Sequence, residues 1–176
     1  MVTVACDDGF EFVGHPKDCP WERLQGCHAI YANAPFDLTL LEHLQEKGVI
    51  PKLEFSEVSD VLDMSRYFGR PGSLAGASQS LLGEEMSKVT RNNMKRKKWD
   101  EMSEDFKNEV REYALKDARL TLRLWLEHGH RWPWHERELS RQTREMCMRG
   151  LPVDVERAKG YVSHLKTLIW EAEQKI

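Results

Sequence analysis

Two aspartates, Asp37 and Asp117, and one tyrosine, Tyr113, have the residue types and spacing for phosphoryl chemistry. Asp37 stands in Asn33-Ala34-Pro35-Phe36-Asp37, just after an apolar stretch and in the first turn of an expected helix. An acid there can simply favour the helix dipole. It can also reach the crevice beyond the carboxyl end of a strand, where open α/β sheets bind ligands. Asp117 lies on the apolar face of a second expected helix, and Tyr113, four residues earlier, shares that face. A carboxylate among apolar side chains is costly unless it is paired or binds a metal. A Tyr113–Asp117 hydrogen bond at a core edge is the plainer reading. Two such acids about 80 residues apart also suit a pair of hard divalent cations. Two cations supply a hydroxide near neutral pH and stabilise the charge that develops when a phosphodiester is cleaved. Tyr113 would stay protonated and orient the attacking water.

The elements that must position these residues follow from pattern. Thr3–Cys6 and Phe10–Val13 flank an Asp-Gly turn and predict a β-hairpin. Pro16 and Pro20 mark residues 15–25 as a loop, and Cys27–Ala32 predicts a buried third strand. Pro35 opens a helix with Phe36, Leu40, Leu41 and Leu44 as its apolar stripe, stopped by Gly48 and Pro51. Ser59 or Asp60 caps a further helix through Tyr67, and Ser73–Leu82 predicts a short helix ended by Gly83. The strongest helical pattern follows Ser103 and runs to about Gly129, with Phe106, Val110, Tyr113, Ala114, Asp117, Ala118 and Trp125 on one face. Trp132-Pro133-Trp134 marks a boundary, dividing an α/β domain, 1–130, from a helical extension, 131–176. In the extension, a helix through Met148 precedes a break at Gly150-Leu151-Pro152. A last helix, capped by Asp154, is expected to turn Ala158, Tyr161, Val162, Leu165, Leu168 and Ile169 inward.

Composition bounds the rest. The chain has 176 residues, 40% hydrophobic and 31% charged, enough for a core and too apolar for disorder. No apolar run spans a membrane and no signal peptide is evident, so a cytoplasmic location is expected. Cys6, Cys19, Cys27 and Cys147 form no Cys-x-x-Cys pair and are read as reduced thiols. The net charge of −3 gives no global sign of nucleic acid. Locally, Lys88, Arg91, Lys95, Arg96, Lys97 and Lys98 make a basic run free of acids, either a solvated loop or a phosphate-contacting segment.

Tyr31-Ala32-Asn33-Ala34-Pro35-Phe36-Asp37-Leu38 resembles the second motif of the DEDD exonucleases, and Tyr113-Ala114-Leu115-Lys116-Asp117 resembles the third motif of their tyrosine subclass. The stretches Asp60–Arg66, Pro71–Leu74 and Leu81–Gly83 resemble the region between those motifs in phage-type family A DNA polymerases. Met148-Arg149-Gly150-Leu151-Pro152-Val153-Asp154 is similar to the start of the polymerase portion in such enzymes. The resemblance covers most of the chain. It implies an α/β, ribonuclease H-like exonuclease fold with a C-terminal helical extension. It further implies 3′–5′ exonuclease-like hydrolysis of DNA with Mg²⁺ or Mn²⁺ held by Asp37 and Asp117, and Tyr113 placing the nucleophile. Asn33 would shape the DNA cleft and the basic run would contact the backbone. No polymerase activity is expected.

The first motif of that family, Asp-x-Glu on the central strand, has no counterpart ahead of the hairpin. Asp154-Val155-Glu156 has the spacing but stands at a helix start, where capping explains it. Losing the central strand would leave exposed strand edges, which a second copy or another protein could cover. Replacement ligands could come from Asp7, Asp8, Asp60, Asp63 or Glu112. The alternatives to a nuclease are a degenerate DNA-binding or polymerase-associated module and a fragment of a longer polymerase.

Overall fold

The expected hairpin forms from β1 (Val2–Ala5) and β2 (Glu11–Gly14), antiparallel with Val4 opposite Phe12. Its turn uses Gly9 at φ 85°, a left-handed conformation that costs glycine nothing. The third strand, β3 (His28–Tyr31), is half-buried rather than fully buried. It pairs in parallel with β4 (Glu57–Asp60), His28 opposite Glu57 and Tyr31 opposite Asp60. The two pairs form separate two-stranded sheets. The computed structural model describes residues 1–86, 93–94 and 97–174, and all structural statements concern those residues.

Between the parallel strands runs α1 (Ala34–Glu46), followed after β4 by α2 (Val61–Tyr67) and α3 (Leu74–Leu82). Ser73 caps α3 by accepting from the Gly76 amide, and Gly83 ends it at φ 72°. The long helix α4 (Glu104–His128) begins at Ser103, whose hydroxyl accepts from the Phe106 amide. Helices α5 (Trp134–Arg149) and α6 (Val155–Glu173) complete the chain. Asp154 caps α6 by accepting from the Arg157 amide, the structural role expected of it.

Both sheets occupy one layer between helices. On one side lies α4. The Glu11 carboxylate takes two bonds of 2.6 Å from the Arg119 guanidinium, and the His28 ring meets Trp125 edge-on at 4.8 Å. On the other side, Val2, Val4 and Phe12 share a core with Leu41 and Leu44 of α1, built around Cys19, Trp21, Leu24 and Ile50. A second core joins Val61, Leu62, Met64, Ala77, Leu124 and Trp132, with Ile30 packed against it. Trp132 is 2% exposed, so the segment leading into α5 is anchored in this core.

Two helix faces differ from expectation. In α1, Phe36 is 65% and Leu40 46% exposed. The inward side instead carries Ala34, Asp37, Leu38, Leu41 and Leu44. A stripe at i, i+3 and i+4 can be drawn through either set, and tertiary packing selects the one that meets β3 and β4. In α6, the stripe expected to face inward is open to solvent, with Tyr161 57%, Leu165 55% and Ile169 58% exposed. The break at Gly150, with φ 67° and ψ −170°, precedes this helix, and none of its residues is buried. No helix of the described residues is long and apolar enough to cross a membrane.

Candidate functional site

The carboxyl ends of β3 and β4 bring three ionisable groups together: Tyr31, Asp37 and Asp60. Asp60 organises the junction. It ends β4, caps α2 by accepting from the Leu62 amide at 2.8 Å, and accepts from the amide of Ala34 at 2.7 Å and of Asn33 at 3.3 Å. One buried carboxylate, 3% exposed, thus satisfies donors at the start of two helices. Asn33 makes the geometry possible. It takes φ 83° and ψ 58°, a left-handed turn that asparagine tolerates, and swings the chain from β3 into α1 so that the first amides meet Asp60.

Asp37 lies one turn into α1, on its inward face. Burial pushes its carboxyl above the ordinary aspartate range to about 6, and the charge of Asp60 pushes the same way. The helix dipole would favour the anion here, yet the upward effects prevail. Tyr31 is held above its ordinary range by burial and then by Asp37. The junction therefore concentrates negative charge in a partly desolvated place. A cation bound there would relieve it, and carboxylate oxygens are the donors that Mg²⁺ and Mn²⁺ prefer.

Tyr113 and Asp117 stand four residues apart on α4, both half-buried, and neither is without a partner. The Asp117 backbone carbonyl accepts from the Thr121 hydroxyl at 2.8 Å. Of the basic run, Lys88, Arg91, Lys95 and Arg96 lie outside the described residues. The Lys97 ammonium sits 4.8 Å from the centre of the Phe106 ring, and Lys98 lies 3.9 Å from Glu101.

Three of the suggested replacement ligands are already committed. Asp60 holds the helix starts. Asp63 bonds the Arg66 guanidinium at 2.6 Å and the Ser140 hydroxyl at 2.6 Å. Asp8 accepts from the Phe10 amide and from Arg23. Asp7 and Glu112 are exposed. Among the described residues, no three histidine, cysteine, aspartate or glutamate side chains are grouped to hold a metal ion.

One polar cluster is not foreshadowed by any sequence motif. His28 Nε2 lies 2.9 Å from the Ser59 hydroxyl and 3.8 Å from Glu57, and Arg137 of α5 lies 3.8 Å from Glu57 and over the Trp125 ring. Burial holds the His28 imidazole below its ordinary range; Glu57 opposes this and Arg137 adds to it. Ser59 is 2% exposed, so no substrate reaches its hydroxyl. The cluster ties α5 to the parallel strands, helped by a bond from Arg144 to the Val58 carbonyl. The residues come from β3, β4 and α5, a convergence that linear spacing does not reveal. Comparison with family models, curated proteins and solved structures finds no match to this chain.

Proposed function

We propose that the chain is an exonuclease-like module of ribonuclease H-like fold, related to family A DNA polymerases, that hydrolyses phosphodiesters in DNA. The observation that carries this reading is Asp37. Its carboxylate sits on the inward face of α1 at the end of a parallel strand pair, with its charge disfavoured by burial and by Asp60. Natural chains retain such a group where a ligand compensates it. A cation held by Asp37 and Asp117 would supply a hydroxide and charge stabilisation at the scissile phosphate. Asp60 keeps the start of α1 in place, so Asp37 is presented from a fixed helix. Tyr113, one turn from Asp117, would orient the water, and Asn33 would border the bound strand. Asp37→Asn and Asp117→Asn test this directly: each is expected to weaken Mn²⁺ binding in calorimetry and to abolish metal-dependent DNA cleavage. Unchanged binding removes that residue from the site.

Two observations favour the second reading, a non-catalytic DNA-binding or polymerase-associated module. Asp8, Asp60 and Asp63 are occupied by protein donors. The exposed apolar stripe of α6 also suits a chain that works against another surface. DNA binding without cleavage, unchanged by Asp37→Asn, would select that reading.

A further inference from the structure

The seam between α5 and the parallel strands carries more positive than negative charge. Helix α5 brings two arginines to it. Arg144, buried, donates to the Val58 carbonyl at 3.3 Å, and Arg137 lies 3.8 Å from Glu57. Arg137 is fixed in place. Its guanidinium donates to the carbonyls of Trp132 at 3.0 Å and Gly129 at 2.8 Å, and lies 4.9 Å from the centre of the Trp125 ring. From the strands, Glu57 faces these cations, while Asp60 is turned to the amides of α1 and α2. Asp63 of α2 reaches α5 at Ser140, but it is paired with Arg66.

His28 stands beside this seam, where one more charge alters the balance. Its Nε2 is 2.9 Å from the buried Ser59 hydroxyl and 3.8 Å from Glu57. Helix α4 meets the ring edge-on with the uncharged indole of Trp125, the same indole that carries Arg137 over its face. The charged groups acting on the imidazole are Glu57 from β4 and Arg137 from α5. A neutral ring shares one hydrogen bond with Ser59. A protonated ring is a third cation beside Arg137 and Arg144, and the carboxylate that opposes it is 46% exposed and screened by water. The lowered pKa of His28 agrees, with burial as its first cause, Glu57 opposing and Arg137 adding.

We propose that His28 is a pH-sensitive latch: α5 is seated on the β3–β4 pair while the ring is neutral, and proton uptake at the ring releases it. Release takes Arg137 away and opens the ring to water, so the released form binds the proton more readily than the seated one. The seated form is therefore fully favoured above the ordinary histidine value of about 6.5 and loses ground as pH falls below it. Opening of this one helix suffices, because parts of a fold open independently of the whole. The latch needs no catalytic residue and stands apart from the nuclease reading.

The test is amide hydrogen exchange of the full chain at about pH 7.5 and about pH 5.5, on either side of the ordinary histidine value. Each rate is divided by the intrinsic rate at that pH, and amides of α5 are compared with those of α3, which packs on α2 and α4. On going to the lower pH, α5 is expected to lose at least about threefold in protection relative to α3. His28→Gln keeps a hydrogen-bond partner for Ser59 and cannot take the proton, so it shows no such loss. Glu57→Gln removes the opposing carboxylate and enlarges the loss, which keeps the test decisive should His28→Gln fail to fold. Constant protection of α5 at both pH values overturns the proposal. So does an equal loss in His28→Gln, which places the titrating group elsewhere, and so does a smaller loss in Glu57→Gln.

Discussion

Replacing Asp37 by asparagine should make the metal-free protein more stable at neutral pH and no more stable in acid. The folded carboxyl holds its proton up to about pH 6, and the unfolded one only to about 4. The folded state therefore binds the proton more tightly. The favourable contribution of the protonated group is fully present below the unfolded value and is lost as pH rises through about 6. A displacement of this size corresponds to about 3 kcal/mol. Solvent reaches part of the side chain and screens the charge, so about 2 kcal/mol is expected. Asparagine keeps the shape and cannot ionise. In EDTA, Asp37→Asn should exceed the native chain by about 2 kcal/mol at pH 7.5, or roughly 4–8 °C in Tm for a chain of this size. At pH 4 the two should coincide. Urea unfolding at both pH values reads the difference. Equal stability at pH 7.5, or a less stable variant, would refute the claim that burial and Asp60 disfavour the Asp37 charge.

Asp60→Ala strips a carboxylate from amides at two helix starts and should cost about 3 kcal/mol, more than removal of a single cap; a destabilisation below about 1 kcal/mol in thermal unfolding would deny its organising role. Leu124→Ala removes a fully buried side chain from the core shared by α2, α3 and α4, and should destabilise the chain by about 3 kcal/mol in urea unfolding. Replacing Lys95, Arg96, Lys97 and Lys98 by alanine should weaken DNA binding. The slope of log affinity against log salt should fall by about 0.9 for each duplex phosphate that these side chains neutralise, and an unaltered slope would return them to a solvated surface.

Much of this fold is legible in the sequence because its punctuation is local. The Asp-Gly turn, the cap at Asp154, the helix start after Ser103 and the helix end at Gly83 each act within a few residues, and each is found where expected; Ser73, expected inside its helix, caps it instead. Strand β4 is not legible. Its Glu57-Val58-Ser59-Asp60 lacks an apolar run, and its pairing with β3 is set by residues about 30 positions away. The face of α1 is ambiguous for a related reason. Phe36 and Leu40 are as apolar as Leu38 and Leu41, and only docking against β3 and β4 decides between them. Asp37 is recognisable as a candidate from its position after a strand. The cause of its raised pKa is not, because burial, the larger effect, is decided by packing, and Asp60, the smaller one, comes from the neighbouring strand. The twofold use of Asp60 could have been suspected from its place before α2, since a capping residue beside a strand end has a second carboxylate oxygen to offer.

The most direct measurement of the central claim is degradation of single- and double-stranded DNA in Mg²⁺, Mn²⁺ or EDTA, with Asp37→Ala and Asp117→Ala beside the native chain. A metal-dependent nuclease built on these residues cleaves DNA with either cation, is silent in EDTA, and loses cleavage in both variants. Cleavage that survives both substitutions, or no cleavage by the native chain with DNA still bound, would contradict it.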